Sequence, residues 1–143
     1  MTPDRRRAEL SRAECLQLVS SVPVGRVVFT ARALPALQPV SHLVAGAQII
    51  IRASLGAAFT AAVSGSAVVV AYQADLIDPG RRAGWSVVIV GRAWRVTSEA
   101  RAARYRQALP QWVDGDMDEI VAIDADLVQG FRIVPVAALA GLG

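Results

Sequence analysis

The apolar residues of this chain come in short runs. Residues 67–72 and 87–90 are strand-sized, and the longest apolar stretch, residues 133–143, covers only 11 positions. A membrane-spanning helix needs about 18 or more consecutive apolar residues. The chain must therefore build its core from many brief segments joined by turns. Hydrophobic residues make up 54% of the 143 positions and charged residues 19%, which suits a packed globular domain and excludes a disordered one. A chain this long forms one domain by default. The mean hydropathy of +0.41 is high without a membrane span. That surplus points to strands buried on both faces, to an oligomer interface, or to both.

The segments read in order. Ser11 and Glu14 have the spacing of a capping box, and Cys15, Leu18, Val19 and Val22 follow at helical spacing. Pro23 ends that helix. Strands are expected over residues 24–30, 36–44 and 48–53, with turns at 32–35 and at Gly46. Residues 55–63 read as a short helix and 67–73 as a central strand. Asp78-Pro79-Gly80 marks a turn. Residues 85–97 form a long strand in which Gly91 signals a bulge or a bend. A helix follows from Ser98 to about Leu109, closed by Pro110, and the last strands are expected over 119–123 and 131–134. Residues 1–10 read as a polar, loosely ordered tail. Short strands with turn signals and three short helices imply a mainly β fold, a closed six-stranded barrel with helices at its edges.

Composition excludes several chemistries. All fifteen basic residues are Arg, and the chain has no Lys. A Schiff-base lysine and the P-loop lysine are both excluded. One His and one Cys cannot make a His-rich metal site or an internal disulfide. Asp114, Asp116 and Asp118 alternate like the start of a calcium loop, but the sixth position is Glu119 rather than Gly, so a solvated turn is expected. Arg5, Arg6 and Arg7 are the only basic run, too short a patch to imply nucleic acid. With no leader-like apolar segment behind the N-terminal charges, a cytoplasmic location away from membranes is expected.

The segment around Arg52, Ala53, Ser54, Gly56 and Ala57 lies between an apolar strand and a small-residue helix. A helix start offers free N–H groups to an anion, Ser54 adds a hydroxyl, and Arg52 can grip phosphate in two-pronged fashion. The competing reading makes Ser54 a helix cap and Arg52 the partner of a carboxylate. His42 alternates with Val40 and Val44 in its strand, either as a flavin-edge or proton-handling residue or as a hydrogen-bonded structural one. Trp85 and Trp94 stand an odd number apart on one strand and so face opposite sides unless Gly91 carries a bulge. Trp85 suits either a cofactor ring or core packing. Cys15 reads as core rather than nucleophile.

Five ordered motifs carry a resemblance. They are the segment from Val22-Pro23-Val24-Gly25 to Thr30, Pro39-Val40-Ser41-His42 with the following Arg52-Ala53-Ser54-Leu55-Gly56, the run from Val70-Ala71-Tyr72 to Asp78, the run Gly84-Trp85-Ser86 to Ala93, and Gly130-Phe131-Arg132. Together they resemble the small actinobacterial-type branch of the pyridoxamine 5'-phosphate oxidase-like family, over nearly the whole chain. The resemblance implies a six-stranded split barrel that forms a homodimer, with FMN, a deazaflavin coenzyme or haem in grooves between subunits. It implies either a flavin- or deazaflavin-dependent oxidoreductase acting on a small molecule or a non-catalytic cofactor-binding dimer. Ala53 stands where relatives often carry Thr, and Ala58 where they carry Lys, which removes two phosphate contacts.

Overall fold

The computed structural model describes residues 4–54, 56–111 and 118–135, with the backbone alone at Ala57, Ala58 and Ser64. Its elements follow the order β1 (Arg5–Glu9), α1 (Arg12–Ser20), β2 (Val24–Ala31), β3 (Leu34–Ala45), β4 (Gln48–Ala53), α2 (Ala57–Gly65), β5 (Val68–Asp78), β6 (Ala83–Arg95), α3 (Glu99–Ala108), β7 (Glu119–Asp124) and β8 (Leu127–Pro135). Among the described residues all strand pairs are antiparallel. The strands run β1-β8-β6-β5-β2-β3-β4-β7, and β7 returns to pair with β6. That return closes six strands into the expected barrel and leaves β8 and β1 outside the ring.

The split lies along one edge of β6. Its residues 93–95 pair with β7, while residues 84–90 pair with β8. One extra residue separates the two pairings. Ala93 faces Ile123 but Val90 faces Leu127, so Asp124–Asp126 bulges opposite Gly91 and Arg92. The Gly91 signal in the sequence is explained by this contact. A Cβ there would lie 1.7 Å from the Asp124 carbonyl oxygen. Arg92 reaches Asp124 and Asp126 at 3.8 and 3.6 Å across the bulge. The bulge also swaps the inward parity of the chain. Val121, Ile123 and Ala125 face the core, and beyond the bulge Val128 and Gly130 do so.

The barrel interior holds Val27, Phe29, Ile49, Ile51, Tyr72, Val87, Ile89 and Ile123. Two helices plug it. α1 inserts Cys15 and Val19, and the predicted capping box is formed, with Ser11 and Glu14 each bonded to the other's backbone N–H. α2 inserts Phe59 and Val63, with the Phe59 ring 4.8 Å from that of Phe29. A second cluster lies outside the barrel. There α3 lays Ala102 and the following Leu109 over Ile50, Ile120 and Ala122, with Trp94 at the margin. Trp85 and Trp94 thus occupy opposite faces of β6.

Two expectations are corrected. Residues 5–9 are not a loose tail but a strand hydrogen-bonded to β8, with Arg7 over the Phe131 ring at 4.1 Å. A polar outer strand pairs through its backbone and needs no apolar pattern to show it. β5 continues to Asp78 rather than ending at 73, because β6 pairs with it along its whole length. The expected tail beyond residue 135 lies outside the described residues. Among the described residues, no helix is long and apolar enough to cross a membrane.

Candidate functional site

β4 brings Arg52, Ala53 and Ser54 to the rim of the barrel, beside β3 and the start of α2. They border a small concavity of about 40 Å³, completed by Gln38, Pro39, Val40, Gln111 and Asp118. Ser54 does not cap α2. The N-cap is Gly56, at φ 90°, with no side-chain cap and nothing within 4 Å of where a Cβ would stand. The first N–H groups of α2, beginning at Ala57, therefore lack an intrahelical acceptor, which is the anion-receptive state of a helix start. Ala53 turns its methyl into the core and can offer a ligand only backbone.

Arg52 is heavily engaged. Its Nε and Nη2 both lie 2.9 Å from Asp118 Oδ2. Nη1 donates to the carbonyls of Arg106 and Leu109 at 3.2 and 2.9 Å, and Nη2 to Gln111 Oε1 at 3.4 Å. The carboxylate-partner reading of Arg52 describes this geometry. Asp118, read as part of a solvated turn, is that partner. Asp114 and Asp116 lie outside the described residues. Sequence spacing could not pair Arg52 with a group 66 positions away, although β4 and β7 becoming neighbours makes the meeting inevitable.

His42 and Trp85 do not join the concavity. His42 is cross-strand from Ile51, on the opposite face from Arg52. Its Nε2–H donates to the Val19 carbonyl at 2.8 Å and its Nδ1 accepts from the Tyr72 hydroxyl. Burial holds the imidazole below its ordinary pKa, against the Val19 and Val22 backbone acting the other way. Burial also raises the Tyr72 hydroxyl well above the usual phenol range, opposed by the Gly25 backbone and the Arg26 charge. Trp85 is 4% exposed and packs in the core. Burial, with Glu14 and Glu9 adding to it, pushes the Cys15 thiol up, so it is an inert core group.

The outer face carries a second feature. Leu37, Val28, Ala71, Val90 and Leu127 are successive cross-strand partners over β3, β2, β5, β6 and β8. They form one apolar row across five strands, with Leu37 and Leu127 62% and 65% exposed.

A family model described as pyridoxamine 5'-phosphate oxidase matches residues 11–138. An uncharacterized protein of Mycobacterium tuberculosis strain H37Rv is 48% identical, over 94% of this chain and 96% of its own. The solved structure of an FAD binding protein from Mycobacterium smegmatis is similar at 28% identity, covering 87% of this chain and 95% of its own, with a TM-score of 0.66. A Corynebacterium glutamicum structure, named as a candidate pyridoxamine 5'-phosphate oxidase, is 25% identical, covers 92% of this chain and all of its own, and gives a TM-score of 0.72. Closed barrel, split edge and near-complete sequence match agree: the chain belongs to the pyridoxamine 5'-phosphate oxidase family.

Proposed function

We propose that the protein is a flavin-dependent oxidoreductase that works as a cytoplasmic homodimer and holds the phosphate of FMN at the start of α2. The observation that carries this reading is the uncapped α2 N-terminus at Gly56, open to solvent and two residues beyond Ser54, which lines the rim concavity. The Ser54 hydroxyl and the α2 backbone N–H groups fit a phosphate, and Gly56 lets it approach the backbone closely. The family and the FAD-binding M. smegmatis relative favour a flavin. A bound flavin would supply hydride and electron transfer, and the chain's own task is to bind, orient and shield it. The apolar row from Leu37 to Leu127 suits a second copy of the chain, since an uncovered stripe of this kind marks an association surface.

A non-catalytic flavin carrier is the second reading. The chain's one imidazole is sealed in the core, so it offers no proton to a substrate. The same sealing argues against haem, because neither His42 nor Cys15 is presented to an iron. The experiment is a visible spectrum of the purified protein followed by separate titrations with FMN, FAD and a deazaflavin coenzyme. Binding with reduction by a nicotinamide donor supports the enzyme, and binding without turnover supports the carrier. Failure of every flavin to bind refutes both.

A further inference from the structure

We infer that Arg52 is not a phosphate ligand but a positioning residue, a clamp that ties both ends of the α3–β7 crossing to β4. A guanidinium has five N–H donors and no more. Around Arg52 each has an acceptor. Nε–H and one Nη2–H meet Asp118 Oδ2, the other Nη2–H meets Gln111, and the two Nη1–H groups meet the Arg106 and Leu109 carbonyls. Nothing remains for an external anion unless one of these contacts breaks.

The acceptors also define what the clamp does. The Arg106 and Leu109 carbonyls belong to the last turn and end of α3, where intrahelical donors run out. A cation there completes them and meets the negative end of the helix dipole. Gln111 stands immediately before the crossing and Asp118 immediately after it. One side chain on β4 therefore grips the crossing at both ends, and Gln111 and Asp118 are at the same time walls of the concavity. The guanidinium is 15% exposed and the Asp118 side chain 18%, so water screens the pair weakly. A lysine cannot replace it, because one ammonium with three donors on a flexible stem cannot serve acceptors spread around a planar fork.

The clamp deepens the flavin reading, and its tests separate the two. Without ligand, hydrogen exchange is compared between the wild type and Arg52→Lys. Exchange at residues 106–111 and 118–120 is expected to rise about tenfold, with β2 and β5 unchanged. Unchanged exchange at those residues overturns the clamp whether or not any flavin binds. With ligand, FMN and riboflavin are titrated into the wild type, Arg52→Lys and Asp118→Asn. Riboflavin lacks the phosphate. A positioning role weakens both ligands by the same factor in both variants, leaving the FMN-to-riboflavin affinity ratio within about twofold of the wild type. A phosphate ligand behaves otherwise: the loss would fall on FMN alone in Arg52→Lys, and Asp118→Asn, by releasing the guanidinium, would tighten FMN. Either of those results overturns the inference.

Discussion

Inside the barrel the Tyr72 ring meets the His42 imidazole edge to face, centroids 5.2 Å apart, and its hydroxyl donates to Nδ1. The other imidazole nitrogen holds the Val19 carbonyl, and the His42 N–H holds that of Pro23. Phenol and imidazole thereby fasten the end of α1 to β3 and β5. Gly25 leaves room for the hydroxyl, since a Cβ there would stand 2.4 Å from it. Replacing Tyr72 with Phe strands Nδ1 in the core, and urea unfolding at pH 8 is expected to show a loss of about 1–3 kcal/mol. An unchanged midpoint would contradict the fastening.

The same pair fixes a pH dependence. Folding lowers the His42 pKa from 6.5, so the unfolded chain takes up a proton there before the folded one does. Stability from the neutral imidazole is therefore in place above pH 6.5 and is lost as the pH falls below it, with a slope of up to about 1.4 kcal/mol per pH unit. Urea unfolding at pH 8, 6 and 5 is compared with His42→Gln, which cannot titrate. The wild type should show the steeper decline between pH 6 and 5, and equal slopes would count against it. Tyr72 acts at the other end of the scale. Its raised pKa gives stability that is full below pH 10 and falls as the pH rises past it.

Gly130 and Cys15 form a packing pair. A Cβ at Gly130 would stand 2.6 Å from Cys15 Sγ and 2.9 Å from Val87 Cγ2. Gly130→Ala is expected to cost about 1–3 kcal/mol by overpacking. Cys15→Ala in the same chain should recover part of it, because the sulfur is the nearest obstacle. A double-mutant cycle measures the coupling, and strict additivity would show that the α1–β8 contact is looser than drawn.

Ala71 sits at the centre of the apolar outer row. Sedimentation of the wild type at micromolar concentration should give a dimer. Ala71→Arg places a charge between Val28 and Val90 and should give monomers with unchanged circular dichroism, the desolvation of an unpaired charge being costly. A dimer that survives both Ala71→Arg and Leu127→Glu would move the subunit contact elsewhere.

Much of the barrel was legible because β-branched runs, helix caps and turn residues act locally. The Ser11–Glu14 box and the Gly46 turn follow from spacing alone, and the opposite facing of Trp85 and Trp94 holds because the bulge falls at Asp124–Asp126 and not in β6. The strand at 5–9 was not legible, because its place depends on β8, far along the chain. At the candidate site, Arg52 and Ser54 line one concavity, and the partners of Arg52 come from the end of α3 and the start of β7. Local sequence supplies a side chain's capacity to bond, and the closing of the sheet decides which group uses it. His42 shows the same limit, as alternation gives its face but not the Tyr72 and Val19 atoms that occupy it.

The bulge at Asp124–Asp126 acts as a frame shift in the geometric sense. Before it, odd-numbered residues of the late chain are inside, and after it the even-numbered ones are. At unchanged length, plain alternation without the bulge would turn Gln129 toward the core and Gly130 toward solvent, whereas removing the one extra residue together with the bulge would leave every later residue on its present face. Which face of β8 meets the core is thus decided by a single surplus residue at this corner rather than by the sequence of β8 itself.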